Sequence, residues 1–159
     1  MAVKAVTFDF WDTIVDDNSD EPKRAAQGLL SKPQERRRLL WDALQAEAAI
    51  ERQSVDLAYD VADAGFNMVW RQNHINWTVE QRLRVVLNGL ARDLPQAAMA
   101  RLIEDTGRIE VDIPPDAIDG IGAGIAELAG KYKLCIVPDA IVTPGAGLRQ
   151  ILERHRFAH

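Results

Sequence analysis

An α/β fold interrupted by a long all-helical insertion is what this sequence predicts, on three observations. Residues Val3 to Phe10 (VKAVTFDF) are β-branched, aromatic and nearly continuous in apolarity, the pattern of a strand covered on both faces of an α/β sheet. Apolar residues then recur at three- and four-residue spacing through four successive helical stretches. After Pro114 and Pro115 the chain returns to a short apolar run, Lys133 to Val137, followed by one more helical pattern. The expected division is an α/β core made of residues 1–15 and 113–159, with a helical insert over 16–112.

The elements follow in order. Asp16 to Glu21 (DDNSDE) is acidic and reads as a loop or linker, and Pro22 and Pro33 bracket a short segment without clear periodicity. Gln34 to about Ile50 carries Leu40, Ala43, Leu44 and Ala48 on one face, and Ser54 is the expected N-cap of a second helix running to about Asn73. Thr78 with Gln81 forms a capping box opening a third helix, with Leu83, Val86, Leu87 and Leu90 on its apolar face. Pro95 starts a fourth, through Ala98, Leu102 and Ile103, expected to fade at Asp105 to Gly107. In the returning core a helix lies near Ile121 to Gly130. Thr143 as N-cap, with Pro144 at the first helical position, opens a last helix with Leu148, Ile151 and Leu152 on one face.

Composition narrows the function classes. The 159 residues are 47% hydrophobic, enough for one ordinary core with an inserted module. A net charge of −5, with Lys and Arg scattered among acids, argues against a nucleic-acid partner. The single cysteine, Cys135, excludes an internal disulfide and reads as a small buried hydrophobe within an apolar run. No stretch approaches the roughly 18–20 apolar residues of a membrane span. The N-terminus leads straight into a strand rather than a secretion signal, so a cytoplasmic location without membrane contact is expected.

The chemistry concentrates at FDFWDTIV, residues 8–15, where a strand ends in Asp9 and is followed by Trp11, Asp12, Thr13 and Ile14. A carboxylate at the carboxyl end of a parallel strand sits in the crevice where such sheets bind ligands. The order of this strand and DxxxT loop, the helical insert, the PPxxxxGI helix and KLCIVPDAIVTPG resembles the haloacid dehalogenase (HAD) superfamily with a helical cap after the first strand. The resemblance covers nearly the whole chain. It implies a reduced HAD-like, Rossmannoid parallel-sheet core and a helical (C1-type) cap. It also implies a hydrolase acting on a small anionic substrate, a phosphate ester first, through Asp9 as covalent nucleophile with Asp12 and Thr13 beside it. Mg²⁺ is the implied cofactor, held by the Asp9 carboxylate and the Trp11 backbone carbonyl, since hard oxygen ligands suit that ion. Trp11, Asp139 and Arg37, the last on the first cap helix, are the implied substrate contacts.

Three positions depart from the family pattern. Trp11 stands where phosphatases of the family carry an acid/base Asp, and an indole passes no proton to a leaving oxygen at neutral pH. Aromatic residues stand there in true 2-haloacid dehalogenases, which need neither that acid nor a metal, so dehalogenase-like activity is a second expectation. Pro138 replaces the Ser or Thr that ends the family's second strand, removing a hydroxyl and a backbone N–H together, and Asp139 adds negative charge beside it. The sequence stops at His159, before the family's later Lys and acidic pair.

Two parallel strands seldom stand alone, so the further expectation is a homodimer joined through exposed sheet edges, in which the second copy supplies the missing cation or acid of the site, or a longer parent chain. A degenerate, non-catalytic member serving oligomerisation or partner binding is the third functional expectation. The remaining candidates have ordinary readings. GIGAG (Gly120 to Gly124) follows a Pro-Pro loop and reads as a helix start rather than a phosphate cradle. Arg36 and Arg38 read as a solvated face beside Arg37, and His74, His155 and His159 as surface residues. Trp41, Trp70 and Trp77 read as core of the insert or as its contact with the α/β core. Asp9 and Asp12 with Asp16 or Asp139 form the expected weak cation cluster.

Overall fold

The computed structural model describes residues 3–157, so the expectation for His159 lies outside the described residues. Its elements run β1 (Ala5–Phe8), α1 (Asp20–Ala26), α2 (Lys32–Glu47), α3 (Arg52–Asn73), α4 (Val79–Gly89), α5 (Gln96–Asp112), α6 (Ile121–Ala129), β2 (Lys133–Ile136) and α7 (Gly145–Arg154). The protein is therefore a mixed helix and sheet fold, with seven helices and one two-stranded parallel sheet among the described residues. It divides into two compact units. One comprises residues 1–29, 110–140 and 144–159 and holds the sheet; the other comprises 30–109 and 141–143 and is helical.

In the strand-bearing unit β1 pairs with β2 in parallel, from Ala5 opposite Lys133 to Phe8 opposite Ile136. Phe10, Ile14, Val15, Leu148 and Ile151 form its buried core, flanked by Phe8, Ile125 and Ile136. The strand ends at Phe8 rather than Phe10 because the Phe10 carbonyl already accepts the amides of Ile14 (2.9 Å) and Val15 (3.2 Å), which curls the chain into a turn. Nor is the sheet covered on both faces. Exposure alternates along both strands, with Ala5, Thr7, Lys133 and Cys135 open and Val6, Phe8, Leu134 and Ile136 half-buried. Cys135 is therefore exposed rather than buried: the two-residue period of a strand turns it away from Leu134 and Ile136, which face the covered side.

The segment between the two prolines is helix at its start. Asp20 and Glu21, read from sequence as loop, open α1, and Pro22 fits the first turn because its missing N–H has no helical partner there. The last helix begins one residue later than expected, with Pro144 rather than Thr143 as N-cap, and Thr143 is buried.

The helical unit has its own core, built on Leu40, Leu44, Val55, Tyr59, Leu83, Val86, Leu87 and Leu102. Its boundaries follow caps more closely than apolar spacing. The Ser31 side chain and Gln34 make a reciprocal capping box, so α2 starts at Lys32 instead of Gln34, and extended backbone at Ala48 ends it before Ile50. Helix α3 starts at Arg52, placing Ser54 inside the first turn. Helix α5 continues past Asp105 to Gly107, since Thr106, Gly107 and Ile109 are buried and carry the packed face onward. Trp41 donates Nε1–H to Ile50 O at 3.1 Å, and Trp77 lies 5.5 Å from Phe66.

The capping box at Thr78 and Gln81 forms as its spacing predicts, Gln81 N to Thr78 Oγ1 at 3.2 Å and Thr78 N to Gln81 Oε1 at 2.8 Å. Thr78→Ala leaves an amide in the first turn of α4 without its side-chain acceptor. It is expected to cost about 1 kcal/mol in urea unfolding. No described helix is long and apolar enough to cross a membrane.

Candidate functional site

The turn after β1 brings Asp9, Trp11, Asp12 and Thr13 together. Asp9 is exposed immediately past the strand's carboxyl end, and its Oδ1 accepts the Phe10 amide at 2.7 Å. That bond fixes one carboxylate oxygen against the backbone. Phe10 is fully buried and anchors the turn; its ring meets Trp11 edge-on, with centroids 4.8 Å apart. Asp12 takes a left-handed conformation at φ 53° and donates its amide to Val15 O at 2.8 Å, closing the turn from the other side. An Asp tolerates that region better than most residues, which is one local reason for Asp at this position. Thr13 is half-buried between Asp12 and the buried Ile14.

Further contacts tie the turn to the segment before α6. Asp16 N donates to Asp116 O at 2.9 Å, and Ile118 N to Ile14 O at 3.0 Å. Lys23 reaches both the Asp116 carboxylate, at 2.6 Å, and Pro114 O, at 2.8 Å. The turn is thus held from both sides by backbone bonds, with the Asp9 carboxylate left facing water.

Asp139 is exposed three residues past the end of β2, and Val137 N donates to Phe8 O at 2.8 Å, extending the pairing beyond the strands. Parallel neighbours end at the same edge of a sheet, so Asp9 and Asp139 share the carboxyl edge. The expected cation cluster does not form. No group of three or more His, Cys, Asp or Glu is placed to hold a metal ion among the described residues. The acids serve their own loop instead: Asp12 Oδ1 accepts the Asp17 amide at 3.2 Å and Asp16 Oδ1 the Asn18 amide at 3.3 Å. For Mg²⁺ the implied donors are one carboxylate, already engaged by an amide, and one carbonyl. That is two of the six oxygens Mg²⁺ takes; the others would come from water and an anionic substrate, the usual balance for this ion.

Arg37 belongs to the helical unit. Its Nη2 meets Asp60 Oδ1 at 2.8 Å and Asp63 Oδ2 at 3.7 Å, Nη1 reaches Asp56 O at 3.3 Å, and the guanidinium lies 5.6 Å from the Tyr59 ring centroid. Arg38 instead ladders along its own helix to Glu35 and Asp42, and the Glu35 hydrogen bond raises its pKa further. His155 is not a plain surface residue, because its Nε2 sits 2.9 Å from Pro115 O and its ring stacks on Phe157. Gly120 is the N-cap of α6 at φ 80°, which accounts for the first glycine of GIGAG as a helix start.

Tyr59 was not singled out by its sequence, yet burial pushes its phenol up from 10.0 to about 12, with Asp63 adding to the rise and Arg36, Arg82 and Arg37 opposing it. The folded state thus holds this proton more tightly than the unfolded chain. The resulting stability is complete below pH 10 and is lost as pH rises towards about 12. The expected loss across that window is on the order of 2 kcal/mol. Urea unfolding at pH 9 and pH 11 should show it in the wild type and not in Tyr59→Phe; equal slopes would remove the assignment.

Arg82 and Thr106, which no motif marked, also belong to this part of the helical unit. The one signal for Thr106 was a hydroxyl on the stripe of Leu102, Ile103 and Ile109, at helical spacing. Comparison with protein-family models and with curated proteins returns no match.

Proposed function

We propose that the chain is a HAD-like hydrolase that acts on a small anionic substrate through Asp9. The observation that carries this reading is the exposed Asp9 carboxylate at the carboxyl end of a parallel strand. It is oriented by the Phe10 amide, with Thr13 in the same closed turn. In the reading Asp9 Oδ2 attacks the electrophilic phosphorus or carbon; the leaving group departs as an alcohol that takes its proton from water, or as chloride, and water then hydrolyses the acyl phosphate or ester formed on Asp9. Thr13 and turn amides orient the substrate. Asp139 and Trp11 belong to the reading as groups beside the same sheet edge. A phosphate ester is favoured by the breadth of the resembled family, and a 2-haloacid by Trp11. Screening phosphate esters with and without Mg²⁺, and 2-haloacids by chloride release, tests the reading. No turnover above background on either panel would refute it.

A second reading, a non-catalytic chain that dimerises through its sheet, rests on a different observation. Among the described residues both strands of the sheet have an unpaired edge, and a groove of about 710 Å³ beside them is lined by Phe8, Ile14, Ile125, Ile136, Leu148 and Leu152. A second copy supplies matching edges and apolar surface. Light scattering at micromolar concentration should then return twice the 17.7 kDa chain mass, and a monomer would exclude it.

A further inference from the structure

Away from the strand-end turn, the helical unit contains a recess of about 30 Å³ lined by Arg36, Arg37, Tyr59, Asp63, Arg82 and Thr106, among other residues. Three guanidinium side chains line it with one carboxylate, Asp63, and even with Asp60 counted on Arg37 the positive groups outnumber the negative. Asp63 engages Arg82 Nη2 at 2.5 Å, and Arg82 is further held 4.6 Å above the Phe66 ring, which fixes the plane of its fork. A guanidinium carries five N–H donors, of which this bond takes one. The side chains of Arg37 and Arg82 are only 20% and 16% exposed, so an anion beside them exchanges with little water.

Thr106 supplies the independent sign of a ligand. It is 4% exposed, lines the recess, and its Oγ1 has no hydrogen-bond partner. An unpartnered buried hydroxyl costs about 1–3 kcal/mol, so a residue of this kind on an otherwise apolar helix face points to an absent acceptor. Tyr59 adds a second donor whose hydrogen bond here is long, 3.4 Å to Arg36 O. Size then selects the ligand class. One water needs about 10–15 Å³ of such space, so the recess admits about two oxygen-sized atoms. That matches the two oxygens of a carboxylate.

We infer that this recess is a binding site for the carboxylate group of a small organic acid, held by the Arg82 and Arg37 guanidiniums and the Thr106 hydroxyl. The site gives Arg37 a specific ligand chemistry and lies wholly within residues of the helical unit. It does not involve Asp9, and its test reads binding rather than turnover, so the failure of either reading leaves the other standing.

The experiment titrates the full chain with sodium acetate, holding ionic strength with sodium chloride, and follows the Thr106 amide and the Arg82 Nε–H by nuclear magnetic resonance. Saturable shifts are expected in the wild type. Thr106→Val removes the hydroxyl while keeping the shape and should weaken acetate binding about tenfold. The same variant should be as stable to urea as the wild type, or more so, because an unpartnered hydroxyl has been removed. Arg82→Lys keeps the charge but loses the planar fork, and should weaken binding by a similar factor. Shifts that do not saturate, affinity unchanged in both variants, or saturation by inorganic phosphate but not acetate would each overturn the proposal.

Discussion

Asp9→Asn is expected to lower turnover by at least about a thousandfold while leaving the fold intact, if the chain is the hydrolase proposed. The two halves of that expectation have separate physical reasons. Asn keeps an Oδ1 that accepts the Phe10 amide, the one hydrogen bond that Asp9 makes to the turn at 2.7 Å. The turn is otherwise closed by bonds that do not involve this side chain, from Ile14 and Val15 to Phe10 O and from Asp12 to Val15 O. Structure is therefore preserved. Chemistry is not, because the amide nitrogen that replaces the second oxygen has no free nucleophilic lone pair and carries no charge. Measured kcat on whichever substrate the two panels identify, with circular dichroism as the control for folding, separates these effects. Turnover equal to wild type in Asp9→Asn would remove Asp9 as nucleophile whatever the substrate.

Phe10→Ala is the substitution expected to cost most in stability, about 3–5 kcal/mol. Phe10 is fully buried and is the largest side chain in a core whose other buried members are Ile14, Val15, Leu148 and Ile151. The sheet beside it has two four-residue strands, which contribute few ladder bonds of their own. A domain stability of 5–15 kcal/mol leaves little reserve against such a loss. Removal of the ring also takes away the edge-on support of Trp11, 4.8 Å away, and with it the packing that holds the Asp9 turn. Hydrogen exchange provides the measurement. The amides of Ile14 and Val15, both bonded to Phe10 O, should exchange at least about a hundredfold faster in the variant, as a loss above 2.7 kcal/mol requires for amides that open with this core. Unchanged exchange at both positions would show that the turn does not depend on this side chain.

Much of the helical architecture was legible in advance, for a local reason. Thr78 and Gln81 are three residues apart and satisfy each other's backbone, so their sequence spacing is already the structure of the α4 start. The strand-end turn was legible in the same way: Asp9, Trp11, Asp12 and Thr13 are consecutive enough that any turn after β1 brings them together. Ser31 and Gln34 form the same box, which Pro33 masks in the sequence because it reads as an interruption, although it stands within the first turn, where proline is tolerated. The extent of α5 was misread because Asp105, Thr106 and Gly107 are poor helix formers, and only burial against the rest of its unit offsets that propensity.

The sequence by itself determined the local matters: most of the helical segments, the Thr78–Gln81 cap, and which carboxylate follows the first strand. Each depends on residues within about four positions of one another, where backbone hydrogen bonding and side-chain spacing act directly. Only the tertiary structure decided which face of the sheet is covered, and so that Cys135 is exposed while Leu134 and Ile136 are not. It alone also placed Arg37, Tyr59, Arg82 and Thr106 around one recess, from four different helices. Those outcomes depend on contacts between residues tens of positions apart, and no periodicity within a helix or strand records which distant surface will meet it.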